Sequence, residues 1–218
     1  GTAPSAWRAF DGDWQVQDGA LVQQQAEGFD KGIVYAGDGQ HDGVFRDFVY
    51  TVQFRLLSGV GAGLYFNLPA AESKNGGHMV RFTDDGAGVF WGVFDDAGAF
   101  TGQGFAATAP PGTDWHTLEV RSGTETYGIT LDGNVLAQDV PLVSKAGHIG
   151  LTTSQATAAF AAATVSDPAN ASGKNPDLQN AAQPTPVPVA AGATFSAISG
   201  DWKQEGSVIR QENSQATD

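Results

Sequence analysis

Residues 114–135 constrain the fold most strongly, because their apolar side chains recur at every second position and not at helical intervals. His116, Leu118 and Val120 fall on one side of an extended chain, and Thr117, Glu119 and Arg121 on the other, as in a half-buried strand. After the polar Ser122-Gly123-Thr124-Glu125 turn the alternation resumes with Tyr127, Ile129 and Leu131 inward. It ends at Asp132-Gly133-Asn134, a tight-turn sequence. Two alternating segments joined by a short polar turn predict an antiparallel meander.

The same pattern extends over most of the chain. At 12–24 two alternating runs flank Asp18-Gly19, which predicts a hairpin with a primed turn, since glycine tolerates positive φ. The longest alternation, at 48–56, puts Phe48, Tyr50, Val52, Phe54 and Leu56 on one face and predicts a central strand. Further strands are expected at 32–36, 64–68, 79–82, 89–94, 147–154 and 158–165, at the spacing of a sandwich. The 89–94 segment is apolar on both faces, which predicts one face in the core and one aromatic face toward a groove or another domain. No segment has the period of an amphipathic helix. The expected fold class is therefore all-β, an antiparallel jelly-roll β-sandwich over residues 1–167.

Residues 168–194 are rich in Pro, Ala, Asn and Gln without apolar periodicity and read as a linker whose Pro-Thr-Pro-Val-Pro core favours an extended conformation. Beyond it the chain repeats its own beginning. Gly-Asp-Trp recurs at 200–202 as at 12–14, with Glu205-Gly206 expected to replace the Asp18-Gly19 turn after a one-residue deletion. Residues 195–218 are thus expected to be the truncated start of a second homologous domain. A lone hairpin is marginal in water, so Trp202, Val208 and Ile209 are expected to support self-association with a neighbouring copy.

Composition narrows the function. A chain of 218 residues without cysteine excludes a disulfide framework, a thiolate metal site and a cysteine nucleophile. A net charge of -13 with only 11 Lys and Arg argues against nucleic acid and anionic membrane as partners. No apolar run reaches the ~18 residues that span a bilayer. The only methionine is Met79, so the chain reads as a processed or excised piece of a longer protein. Twenty-nine glycines, few charges and short alternating runs suit an extracellular or cell-surface protein.

Several segments together resemble the concanavalin A-like lectin/glucanase superfamily, in particular the laminin G-like and 3-keto-disaccharide hydrolase-like jelly rolls. They are Phe10-x-Gly-Asp-Trp14, Asp18-Gly-x-Leu21, Gly63-Leu-Tyr-Phe66, His78-Met-Val-Arg-Phe82, Trp115-His-x-Leu-Glu-Val120, Leu131-Asp-Gly133 and Gly147-His-Ile-Gly-Leu151. The resemblance implies an extracellular bacterial module, recognition of a carbohydrate, and calcium in some members. These motifs mark turns and core positions, so they speak to fold before function.

The resemblance also implies a glycan on the concave sheet face. Alternation then assigns Gln53, Arg55, Tyr65, Asn67, Arg81 and Trp91, or the neighbours Phe90 and Phe94, to that face. An aromatic ring stacks on the apolar face of a pyranose, while Arg, Asn and Gln bond its hydroxyls. Set against this, Trp91 could equally be core and the polar residues a solvated sheet face. Asp84-Asp85, Asp95-Asp96 and Asp38 with Asp42 offer oxygen ligands for calcium, but turn chemistry alone accounts for them. His41, His78, His116 and His148 have no metal-ligand spacing. The Glu-x-Asp-x-x-Glu motif that glucanases of the superfamily use is absent. The sequence thus points to a non-catalytic carbohydrate-binding module, with no cofactor required. A structural or adhesive tandem repeat, and an enzyme of the 3-keto-disaccharide hydrolase type, stand as alternatives.

Overall fold

The computed structural model describes residues 3–38 and 42–166, together with the backbone of three short strands beyond them. Its twelve strands up to residue 166 form two layers. Two strands, β5 (Phe48–Leu68) and β12 (His148–Ser166), pair along their whole length and bend so that each contributes to both layers. The front layer runs β1 (Trp7–Asp11), β4 (Lys31–Tyr35), the first half of β12, the second half of β5, β6 (His78–Thr83), β7 (Gly88–Phe94), β8 (Phe100–Ala107). The back layer runs β2 (Trp14–Gln17), β3 (Ala20–Gln23), the second half of β12, the first half of β5, β9 (His116–Ser122), β10 (Thr126–Leu131), β11 (Asn134–Pro141). Every pairing is antiparallel, and the chain is a jelly-roll β-sandwich.

The bends replace an expected break. Ser58-Gly59-Val60-Gly61 reads as a turn between separate strands at 48–56 and 64–68, and residues 155–157 as a gap between two others. In the structure Gly59 (φ 90) pairs with Ala156, next to Gln155 (φ 47), and the two strands turn together there, their ladder continuing through the bend with one register shift at Thr157/Ala158. An added Cβ at Gly59 would run into the Gln155 carbonyl oxygen, so only glycine fits there. Both Asp-Gly turns have positive φ at each residue, at Asp18-Gly19 and Asp132-Gly133, as a primed turn requires.

Between the layers lies one apolar core. Trp14, Leu21, Ile33, Tyr50, Phe54, Leu64, Phe66, Phe82, Trp91, Val120, Ile129 and Phe160 belong to it. Of the β12 alanines, Ala156, Ala158, Ala159 and Ala163 are buried, and Ala161 and Ala162 are half-buried. A second, smaller apolar cluster sits on the outer side of the front layer, with Val34, Tyr65, Leu68, Met79 and Phe94 buried and Phe10 and Phe90 packed against them.

Beyond residue 166, β13 (Thr185–Pro186) pairs with Thr164 and Val165 of β12, within the expected linker. β14 (Trp202–Glu205) pairs with β15 (Val208–Gln211) in the register Trp202↔Gln211, and β2 pairs with β3 in the register Trp14↔Gln23. Both residues shift by 188 (202 - 14 and 211 - 23), so the expected one-residue deletion is absent: two positions separate the strands in each hairpin. The rest of the linker and the side chains of Trp202, Val208 and Ile209 lie outside the described residues.

Candidate functional site

β6 alternates Val80 and Phe82 toward the core with Met79, Arg81 and Thr83 toward the outer side of the front layer. That alternation leaves the Arg81 guanidinium on an otherwise apolar sheet, 5 % exposed. Its Nη2 donates to Asp30 Oδ1 at 2.7 Å and to Thr152 Oγ1 at 3.0 Å. Its Nε is buried and has no hydrogen-bond partner among the described residues. Asp30 closes the loop between β3 and β4 in a left-handed conformation (φ 53), and its carbonyl accepts a hydrogen bond from the Tyr65 hydroxyl at 3.1 Å. Lys74, from the loop between β5 and β6, donates to the second Asp30 oxygen. Burial opposes ionisation of Asp30, but the charges and hydrogen bonds of Arg81 and Lys74 outweigh it and hold its carboxyl below the usual value. Burial raises the Tyr65 phenol.

Around this ionic centre the aromatic rings form a continuous path across the sheet. Ring centres are 6.0 Å apart for Phe10 and Tyr65, 6.2 Å for Tyr65 and Phe94, 5.1 Å for Phe94 and Phe100, and 5.8 Å for Phe100 and Phe90. Lys74 Nζ lies 4.3 Å above the Phe94 ring centre, and the Arg81 guanidinium 5.7 Å from that of Phe90. At one end of the path a cleft of about 300 Å³ opens among Phe10, Asp11, Phe29, Asp30, Glu72 and Lys74. Arg8 and Glu72 form an ion pair near it, and Phe29 is 66 % exposed. Rings flanking fixed donors and acceptors suit a ligand with both apolar and hydroxylated faces.

The residues expected at the site separate into four places. Tyr65 and Arg81 meet on the outer front face. Gln53 and Arg55 lie on the outer side of the back layer, where the Arg55 guanidinium stands 4.9 Å from the Trp115 ring centre. Asn67 is fully buried and donates to Ser144 O and Ser122 Oγ. Trp91 belongs to the core between the layers, and its neighbours Phe90 and Phe94 take the outer face. Asp30, Lys74, Phe10, Phe29 and Phe100 join the site from segments that sequence periodicity does not single out. The one signal for Phe29 is a lone aromatic in the polar loop Gln25-Ala26-Glu27-Gly28-Phe29-Asp30.

Two of the acidic turns use their carboxylates for backbone hydrogen bonds. Asp95 Oδ1 accepts from the N–H of Ala97 and Ala99, and Asp42 Oδ1 from that of Val44. Among the described residues no three His, Asp or Glu side chains gather closely enough to hold a metal ion. No helix there is long and apolar enough to cross a membrane.

The architecture is that of the concanavalin A-like lectin/glucanase superfamily. Within it, the chain belongs to the family of 3-keto-alpha-glucoside-1,2-lyase-like domains, whose sequence profile matches residues 1–166. No curated protein matches it in sequence. Among solved structures it is similar to the carbohydrate-binding module CBM66 from Bacillus subtilis, with 19% identity and a TM-score of 0.66 over 75% of this chain and 97% of that one. It is also similar to a galectin-like protein from Bacillus subtilis, at 11% identity and a TM-score of 0.55 over 73% of this chain and 88% of the other. A third likeness, to the carbohydrate recognition domain of Emp47p, has 11% identity and a TM-score of 0.53 over 75% and 89%. At these identities the likenesses establish the fold.

Proposed function

We propose that this chain is a carbohydrate-binding module whose ligand lies on the outer face of the front layer, in the cleft beside Asp30. The observation that carries the reading is the Lys74–Asp30–Arg81 cluster set among Phe10, Phe90 and Phe94. Lys74 and Asp30 line the cleft beside the Phe10 and Phe29 rings while the buried Arg81 holds the carboxylate in place, and fixed polar groups beside rings are the combination that distinguishes a sugar from both water and an apolar ligand. The similarity to CBM66 and to the Emp47p domain supports it. Calorimetry of the wild type and Phe29→Ala against a panel of polysaccharides tests it. Binding by the wild type that Phe29→Ala weakens is the expected result, and no binding across the panel overturns the reading.

The family match favours a second reading, catalysis on a 3-keto glucoside. Elimination across C1–C2 of such a sugar needs a base to take the C2 proton and an electrophile for the C3 ketone oxygen. Arg81 and Lys74 supply electrophiles, but both bind Asp30 and keep it a weak base, so binding comes first. Incubation with a 3-keto glucoside, followed by detection of the unsaturated ketone and released aglycone, decides between the two.

Self-association is a separate proposal. The β14–β15 pair repeats the register of β2–β3, and Trp202, Val208 and Ile209 are its expected anchors on a neighbouring copy. Export to the cell surface is the setting in which such a glycan-binding repeat would act.

A further inference from the structure

Phe100 and Phe105, on β8 at the far edge of the front layer, are 37 % and 54 % exposed, on the same face as the cleft. Their positions differ by an odd number, which in a regular strand would put them on opposite faces. The register shift opposite Trp91 and Gly92 resets the alternation, so that Phe105 pairs with Phe90 and Phe100 with Phe94. Each ring is seated on a glycine of β7: an added Cβ would stand 2.6 Å from the Phe100 ring at Gly92 and 2.5 Å from the Phe105 ring at Gly88. Rings that cover bare backbone have no side chain beneath them and keep much of their remaining surface in solvent. That is the presentation a pyranose or furanose stacks on.

From these observations we infer that the site continues past the Lys74–Arg81 centre to a second platform at Phe100 and Phe105, and that its ligand is an extended, uncharged polysaccharide. The inference rests on the reading of the cleft as a carbohydrate site. Phe29 precedes β4, and β8 lies five strand positions further along the layer, about 24 Å at the usual strand spacing. A single sugar cannot bridge that distance, whereas an oligosaccharide can. Between the two platforms the half-buried Phe10 and Phe90 lie on the outer face, with Tyr65 and Phe94 buried beneath them as a rigid support. Residues 97–113, which include the whole of β8, carry no charged side chain in a chain of net charge -13, so the strand that bears the far platform itself offers no ion pair to a charged glycan. Gly102 and Gly104, on an edge strand, leave backbone donors and acceptors open to hydroxyls beside the rings.

The test is a calorimetric ladder of cello-, laminari- and fructo-oligosaccharides from disaccharide to octasaccharide, with thermal melts confirming that each variant folds. In at least one series affinity should rise with length. Phe105→Leu, which keeps apolar bulk but has no ring, should weaken the longest oligomer about tenfold and leave the disaccharide unchanged. Phe105→Trp should retain the long-chain affinity, and Phe29→Ala should weaken every length. Binding that is independent of length and unmoved by Phe105→Leu overturns the second platform while the cleft reading stands. Absence of binding by every series overturns both.

Discussion

Arg81 and Asp30 are 51 positions apart in sequence, yet the guanidinium meets the carboxylate at 2.7 Å and ties the loop after β3 to the middle of the front layer. Replacing the carboxylate with an amide keeps an oxygen acceptor but takes the counter-charge away from a cation that is 6 % exposed. Asp30→Asn should therefore destabilise the fold by about 2 kcal/mol in urea unfolding, less than for a fully buried pair because Asp30 itself keeps some solvent contact. The folded carboxyl lies below its ordinary value of 3.8, so its contribution is present above that pH and is lost as pH falls through the lower folded value. Asp30→Asn should flatten that part of the acid limb.

His78 supplies a different pH response. Its Nε2 accepts the N–H groups of Val143 and Ser144 at 3.1 and 3.2 Å, and its ring stacks on Phe66 with 4.9 Å between centres. Burial pushes the imidazole from its ordinary 6.5 down to about 4. The unfolded chain therefore takes the proton first, and stability falls as pH drops from 6.5 and levels off below about 4. The total loss is about 3 kcal/mol. Denaturant midpoints measured across that window should show the loss, and His78→Gln, which keeps an acceptor without titrating, should remove it.

The shared bend gives a steric prediction. Gly59→Ala combines a positive φ with a clash against the Gln155 carbonyl and should cost about 3 kcal/mol or more. Gly112→Ala also has positive φ (57) but nothing within 4 Å of the added Cβ, and should cost only about 1 kcal/mol. Equal costs in urea unfolding would contradict this account of the bend.

Deleting residues 195–218 should abolish concentration-dependent association in light scattering and leave the melting temperature of the sandwich nearly unchanged. Association that persists without them would contradict the proposal that Trp202, Val208 and Ile209 anchor a neighbour.

Alternation makes the layers legible because each strand buries one face, and the Asp-Gly turns announce themselves through residues that tolerate positive φ. The bends are illegible for the opposite reason: Ser58-Gly59-Val60-Gly61 reads as an end, and only pairing with β12 makes it continuous. β8 hides because Gly102, Gly104 and a register shift interrupt its period. Of the site, β6 alternation exposes Arg81 and the β5 pattern exposes Tyr65. Their partners Asp30, Lys74 and Phe10 come from loops and an edge strand whose approach is a property of the closed sandwich. The same closure sends Gln53 and Arg55 to the back, because β5 changes layers between Arg55 and Tyr65.

The location of the ligand is the central claim, and NMR titration of the isotope-labelled chain with a bound oligosaccharide from the ladder tests it most directly. The account predicts shifts confined to the outer front face, at Phe10, Phe29, Lys74, Arg81, Phe100 and Phe105. Shifts centred instead on Gln53, Arg55 and Trp115 of the back layer would contradict it.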